Sequence, residues 1–333
     1  MHKSHYKSSP RLLSQPRGNR PMICSLTSGQ LPNVLRHKHD VQRSRDNSPL
    51  RLIRELLWTL LVVNFEILRA IFRWLFPAER KDVAGEVVLV IILNTRDRRA
   101  VEHANTGQRT IEFLSMCYMP PDEYTCDVTD RAAVLQLAEQ VRRDAGDVNV
   151  LVNNAGIMPC KPITEQTEKE IRLMMDINVN ANIWCIQAFL PAMIERNHGH
   201  IVALSSMAGL MGIRNLVPYC GSKFAARGIM EALAIEVRED PRDTSGIHFT
   251  TVCPYIVNTG LCHKPRIRFE SAMKVVNAGE AADMIVDAVL RNVMEITIPP
   301  ELHYMNRYIH RLLPFPAAAA FNDFFDTGVD AHD

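Results

Sequence analysis

The sequence predicts an α/β fold, a doubly wound parallel sheet with one helix set ahead of it. Three observations lead there. From Val83 onward, short β-branched runs alternate with segments of helical period, the pattern of strands joined by crossover helices. Several of these runs are apolar at consecutive positions, which suits strands covered on both faces. The most hydrophobic stretch, Leu52–Phe76, precedes this pattern and reads as a separate helix.

The chain has 333 residues, 47% of them hydrophobic and 23% charged, enough apolar material for a sizeable core. Lys+Arg 38 against Asp+Glu 37 leave a formal charge of +1, so no overall field recruits nucleic acid and no nucleic-acid partner is expected. The 8 cysteines are scattered, with no C-x-x-C pair and no accompanying His cluster. Neither a metal site nor a disulfide framework is expected, and the thiols are read as reduced, in a protein facing the cytosol.

Residues 1–48 carry Lys and Arg from Lys3 to Arg45 against only Asp40 and Asp46, with Ser, Pro and Asn between them, and are expected to form a disordered basic arm. Residues 49–80 are assigned to an anchor helix. Its longest uncharged run, Leu56–Phe65, is short of the ~20 residues of a simple bilayer span. Glu66, Arg69 and Arg73 share one helical face, leucines and phenylalanines cover the rest, and Trp58 and Trp74 sit near the ends. Such a helix lies in a membrane or lipid-droplet interface; the alternative is packing on its own globular domain. Pro77 and the charged Glu79–Asp82 read as a hinge.

Residues 83–300 form the main domain. Val87–Leu93 is the first strand, Asp130–Arg143 a helix with Val134, Leu137, Ala138 and Val141 at helical spacing, and Val148–Val152 the second strand. Glu168–Arg196 is a long helix, His200–Leu204 a strand, Tyr219–Glu239 a helix, and Ile247–Val252 and Glu295–Ile298 the last strands. Residues 301–333 are a C-terminal apolar helix and tail, with Tyr304–Phe325 either walling a lipophilic pocket or closing the core. Ligands of such sheets bind at the carboxyl ends of the strands.

Chemistry-bearing residues gather at those ends. The second strand runs into Asn153-Asn154-Ala155-Gly156, and the next delivers Ser205 and Ser206. Tyr219 and Lys223 lie one turn apart on a helix face. A free tyrosine titrates near ~10, so a reacting phenol needs an ammonium to favour the phenolate and a hydroxyl to hold the reacting oxygen. Lys223 and Ser206 can supply these, and Asn178 can hold a relay water beside the lysine. A Y-x-x-x-K alone is a weak signal.

Together, Cys126-Asp127-Val128-Thr129-Asp130, Asn153–Gly156, Asn178, Ser206, Tyr219-x-x-x-Lys223 and Pro254–Gly260 resemble the short-chain dehydrogenase/reductase family in order and spacing. The hydrophobic leader, the Arg73-Trp74-Leu75 to Gly85-Glu86 junction, and Thr259-Gly260-Leu261 followed by Arg266-Ile267-Arg268 resemble its retinol and 17-beta-hydroxysteroid dehydrogenase branch. The resemblance spans residues 52–90 and 124–325. It implies a single Rossmann-like catalytic domain and reversible hydride transfer between NAD or NADP and a lipophilic alcohol, ketone or aldehyde of retinoid, steroid or fatty type. It also implies a homodimer at the endoplasmic reticulum membrane or lipid droplet, with the catalytic domain facing the cytosol.

Residue by residue, the resemblance makes Tyr219 the catalytic acid/base and, with Lys223, a cofactor contact. Lys223 lowers its pKa and holds the nicotinamide ribose, Ser206 orients the substrate oxygen, and Asn178 completes the proton relay. Asp127 and Val128 contact the adenine, Asn154, Ala155 and Gly156 line the cofactor, and Pro254, Val257 and Thr259 flank the nicotinamide carboxamide. Leu261–Val276 occupies the place of a mobile lid.

One segment departs from the family. Its glycine-rich turn after the first strand is missing, since no glycine follows Val90 until Gly107, and side chains there obstruct backbone approach to a pyrophosphate. The strand that separates NAD from NADP is also unrecognisable in 91–123. Either this segment comes from an alternative exon join, with the enzyme intact in another isoform, or the chain is a catalytically impaired surface or interaction protein. Arg96, Arg98 and Arg99 read either as substitute phosphate contacts or as a solvated basic loop.

Overall fold

A computed structural model of the chain describes residues 49–91, 124–262, 264–268, 274–302, 312–325 and 328–331. The basic arm, all but Ile91 of the segment 91–123 read from sequence as unlike the family, parts of the lid segment and the beginning of the C-terminal apolar stretch lie outside the described residues. The chain divides into two compact units, 1–60 and 61–333.

Helix α1, Pro49–Leu75, is 27 residues long. Most of its described large apolar side chains are exposed, Leu57 62% and Leu68 65%. On the polar face Arg69 reaches Glu66 at 3.4 Å. The charged residues after Pro77, read from sequence as a hinge, are tied down. Arg80 and Arg291 both bind the Asp287 carboxylate, at 2.7 and 2.9 Å, and the Lys81 N–H donates to the Leu290 carbonyl at 2.8 Å.

Five strands form a parallel sheet in the order β1 Val88–Ile91, β2 Val150–Asn153, β3 Gly199–Leu204, β4 Ile247–Pro254 and β5 Glu295–Ile298. The register aligns Leu89 with Leu151 and Leu151 with Ile201, and Val252 with Ile296. Successive strand residues point to opposite faces, and each face has its own core. Leu89, Leu151 and Ile201 pack with Val134, Phe189, Met193 and Met230, which belong to α2 Arg131–Ala145, α4 Ala181–Arg196 and α5 Val217–Glu239. Val88, Val150, Val202 and Val252 pack against Ala281, Val286 and Val289 of α6, Ala278–Leu290. Helices on both faces of a parallel sheet are the architecture read from the sequence.

The boundaries carry local reasons. Asp130 caps α2, its carboxylate accepting from the Ala132 N–H at 2.8 Å. The long helix predicted over Glu168–Arg196 is continuous. Its first part, α3 Glu168–Met175, opens with a capping box between Thr167 and Glu170, and a π-helical turn at Asp176–Asn180 joins it to α4. Helix α6 escaped the sequence reading, although Asn277 caps it through the Gly279 N–H at 2.8 Å. The adjoining Val275-Val276 pair masked its start. Helix α7 spans Phe315–Phe325. Two short pairings were also not foreseen: Val257–Asn258 with Val276–Asn277, and Pro265–Arg266 with Gly328–Val329.

Leu151 is fully buried at the centre of this sheet. The Leu151→Ala variant is expected to lose about 2–5 kcal/mol of stability, seen as a lower urea midpoint with an unchanged slope.

Candidate active site

The carboxyl end of β3 and the first turns of α5 form one close-packed unit. Ser205 is buried, and its hydroxyl donates to the Lys223 carbonyl at 2.8 Å. Ser206 caps a single 3-10 turn, Met207–Gly209, accepting from the Ala208 N–H at 3.1 Å, while its hydroxyl lies 3.4 Å from the Pro254 carbonyl. A Cβ on Gly209 would come within 2.4 Å of the Ser205 Oγ and 2.7 Å of the Lys223 carbonyl oxygen. Only a glycine lets this turn sit directly on α5.

Helix α5 carries Tyr219 and Lys223 into that contact, 5% and 4% exposed. The Lys223 Nζ donates to the Leu204 carbonyl at 2.8 Å and lies 5.6 Å from the centre of the Tyr219 ring. Burial pushes the two groups in opposite directions. It drives the Tyr219 phenol up to about 12, opposed by a hydrogen bond from Ser206, and it lowers the Lys223 ammonium to about 8. In this arrangement the tyrosine is a protonated phenol, and Ser206 is the neighbour that eases its ionisation.

Asn178 sits fully buried in the π-helical turn. Its Oδ1 accepts from the Ile157 N–H at 2.8 Å, and its Nδ2 donates to the Ile157 carbonyl at 2.9 Å and to the Ser222 Oγ at 3.0 Å. Both amide hydrogens are thus used, and one lone pair of Oδ1 remains. This clamps the loop after β2 to α5. In that loop, a Cβ on Gly156 would lie 3.3 Å from the Lys223 Nζ and 3.4 Å from the Asn178 Oδ1, so the glycine keeps open the space beside the lysine. Asn153, at the end of β2, is 4% exposed, and its Nδ2 has no hydrogen-bond partner among the described residues.

The structure therefore brings Ser206, Tyr219, Lys223, Asn178, Gly156 and Pro254 together. The other expected site residues lie in these surroundings. Asp127 is exposed, held low by the Thr129 hydroxyl at 2.7 Å and by the Thr129 N–H, and Val128 is buried in the core. Asn154 is exposed, its N–H donating to the Ile91 carbonyl, and Ala155 packs at the edge of the core. Val257 is half-buried and Thr259 exposed, the Thr259 N–H turning back to the Val257 carbonyl at 2.8 Å. Ser222 was missed from sequence, although the Ser222-Lys223 pair following Tyr219 was a visible signal. The Leu204 carbonyl was not legible, because only the tertiary contact selects it.

The profile described as short chain dehydrogenase matches residues 93–267. Human epidermal retinol dehydrogenase 2 is 33% identical over 276 residues, 78% of this chain and 88% of that protein. The chain belongs to the short-chain dehydrogenase/reductase family. Human 17-beta-hydroxysteroid dehydrogenase 13 is similar too, 30% identical over 82% of this chain and 94% of its own length. So is human retinol dehydrogenase 10, 32% identical over 79% and 90%. Among solved structures, a short-chain dehydrogenase/reductase from Burkholderia phymatum in complex with NAD superposes with a TM-score of 0.54 at 21% identity, covering 69% of this chain and 95% of that one. A putative short-chain dehydrogenase from Novosphingobium aromaticivorans gives 0.52 at 18% identity, covering 72% and 95%. These two likenesses establish the fold.

Because the folded protein lowers Lys223 from 10.5 to about 8, the unfolded chain binds more protons between those values. The contribution of this group to stability therefore rises with pH from about 8 to 10.5. Urea unfolding across that window is expected to show the rise in the wild-type chain and its absence in Lys223→Met, with Tyr219 common to both.

Proposed function

We propose that this protein is an NAD(P)-dependent oxidoreductase that interconverts a lipophilic alcohol and its carbonyl compound, of the retinoid or steroid type. The observation that carries the reading is the convergence of Ser206, Tyr219 and Lys223 at the carboxyl end of the parallel sheet. The substrate class is supported by relatives named as retinol and 17-beta-hydroxysteroid dehydrogenases.

The nicotinamide end of a dinucleotide fits what is present. The space kept open by Gly156 lies beside the Lys223 ammonium, and the Asn153 amide nitrogen is buried without an acceptor among the described residues. Lys223 would hold the ribose there, Asn154, Ala155 and Gly156 would line it, and Pro254, Val257 and Thr259 would flank the carboxamide, with Asp127 and Val128 toward the adenine. Bound there, the cofactor gives or takes the hydride.

The chain's own residues manage the proton and the orientation. Ser206 holds the substrate oxygen against the Tyr219 hydroxyl. In the reducing direction the phenol, kept protonated at neutral pH by its burial, donates its proton to that oxygen; in the oxidising direction the phenolate, its formation eased by Ser206 and Lys223, accepts the alcohol proton. Lys223, lowered only to about 8, still carries its charge at neutral pH and stabilises the phenolate as it forms. Asn178 holds the loop beside the lysine and keeps a lone pair for a relay water. Deep burial of Tyr219 excludes bulk solvent and strengthens each of these interactions.

The exposed apolar face of α1 supports attachment to an endoplasmic reticulum or lipid-droplet surface. Exposed Leu173 on α3 and Phe224 and Ile235 on α5 support a homodimer. The absence of glycine between Val90 and Gly107 favours a second reading, a surface protein without turnover. Fluorescence titration with NADH and NADPH separates the two: micromolar binding supports the oxidoreductase, and no binding up to millimolar supports the surface protein.

The Tyr219→Phe variant is expected to lose about 10²–10⁴-fold in turnover with an unchanged circular dichroism spectrum and a far smaller change in NADH binding; retained turnover would refute the acid/base role. Deleting residues 49–75 is expected to move the protein from the membrane fraction to the soluble fraction, and continued sedimentation with membranes would place the attachment elsewhere.

A further inference from the structure

The Tyr219 side chain is enclosed by an apolar cluster assembled from distant parts of the chain. Cys160 comes from the loop after β2, Met174 from α3, Leu216 and Cys220 from the start of α5, and Val329 from the segment after α7. All but Val329 belong to segments already tied to the sheet and its helices. Val329 sits on a two-residue strand, yet it is only 8% exposed.

That strand is pinned from several directions. It pairs antiparallel with Pro265–Arg266, Pro265 facing Val329 and Arg266 facing Gly328, and the Asp330 N–H extends the pairing to the Lys264 carbonyl at 3.1 Å. The Asn215 side-chain amide donates to the Val329 carbonyl at 3.1 Å. The Cys160 thiol approaches the Asp330 carbonyl at 3.6 Å. The backbone of 328–330 thus touches the lid segment, the loop before α5 and the loop after β2, all in the neighbourhood of the reacting phenol. Its one apolar side chain points into the Tyr219 cluster.

We propose that Val329 is a specificity-determining residue, the wall against which the apolar body of the substrate lies while its oxygen meets Tyr219 and Ser206. This rests on Tyr219 being the reacting group. The polar end of the site fixes orientation, and the apolar wall sets how much hydrocarbon fits beside it.

The test is retinol binding, read by the ligand's own fluorescence with and without NADH, to the full chain and to Val329→Ala, Val329→Phe and Val329→Ile. Removing contact area in Val329→Ala and overfilling the wall in Val329→Phe are each expected to weaken binding about tenfold or more, while Val329→Ile stays near the wild type. NADH affinity and the KM for a short alcohol such as propan-2-ol are expected to be unchanged. Equal retinol affinity in all four chains, or a loss of thermal stability with no change in affinity, would overturn the proposal. So would failure of the wild-type chain to bind retinol. Should Val329→Phe fail to fold, Val329→Ala decides by the same reading. Binding that depends on Val329 in a chain without turnover would sink the oxidoreductase reading and leave the wall standing.

Discussion

The site is organised around one buried ammonium. Removing a lysine head from water is unfavourable unless it is hydrogen-bonded, and Lys223 meets that requirement with the Leu204 carbonyl at 2.8 Å. That bond forms only if α5 lies against the end of β3. Gly209 makes the approach possible, and the Ser205 hydroxyl reinforces it through the Lys223 carbonyl. Ser206, next in the chain, is carried to the Tyr219 hydroxyl by the same contact. Strand end, 3-10 turn and helix therefore act as one unit, and its chemistry is a consequence of its packing.

Asn178 performs the corresponding task on the other side. The π-helical turn around it is a departure from regular helix of the kind found at functional positions, and it places a fully buried carboxamide between Ile157 and Ser222. The loop that would line a cofactor is thereby fastened to the helix bearing the tyrosine and lysine. Burial then sets the electrostatic character of the pair, raising the phenol and lowering the ammonium. Both shifts favour the uncharged forms, so a charge created during reaction is felt strongly by its neighbours.

The periphery is built differently. Helix α1 keeps its apolar side chains outward, whereas the residues after it are bound to α6 through the Asp287 carboxylate. The far C-terminal strand reaches the Tyr219 cluster by a short pairing and a few single hydrogen bonds.

Strand and helix identity from Arg131 to Glu239 was legible because burial on two faces and helical spacing leave a period in the chain itself. The same holds for Ser206, Tyr219 and Lys223, since their order along the chain already places them at strand and helix ends. Helix α6 was overlooked where a β-branched pair adjoins its cap. The partners that complete the site had no such signal. The Leu204 carbonyl is one of many identical backbone groups, Val329 is an ordinary valine far from Tyr219 in sequence, and the Asp287 carboxylate lies on α6, 207 residues from Arg80. The sequence alone indicated most of the strands and helices and the candidate site residues Ser206, Tyr219 and Lys223, because those readings depend on local period and residue type. Only the tertiary structure decided the protonation bias of the tyrosine and lysine and the enclosure of the phenol, because burial and long-range hydrogen bonds exist only once distant segments have packed together.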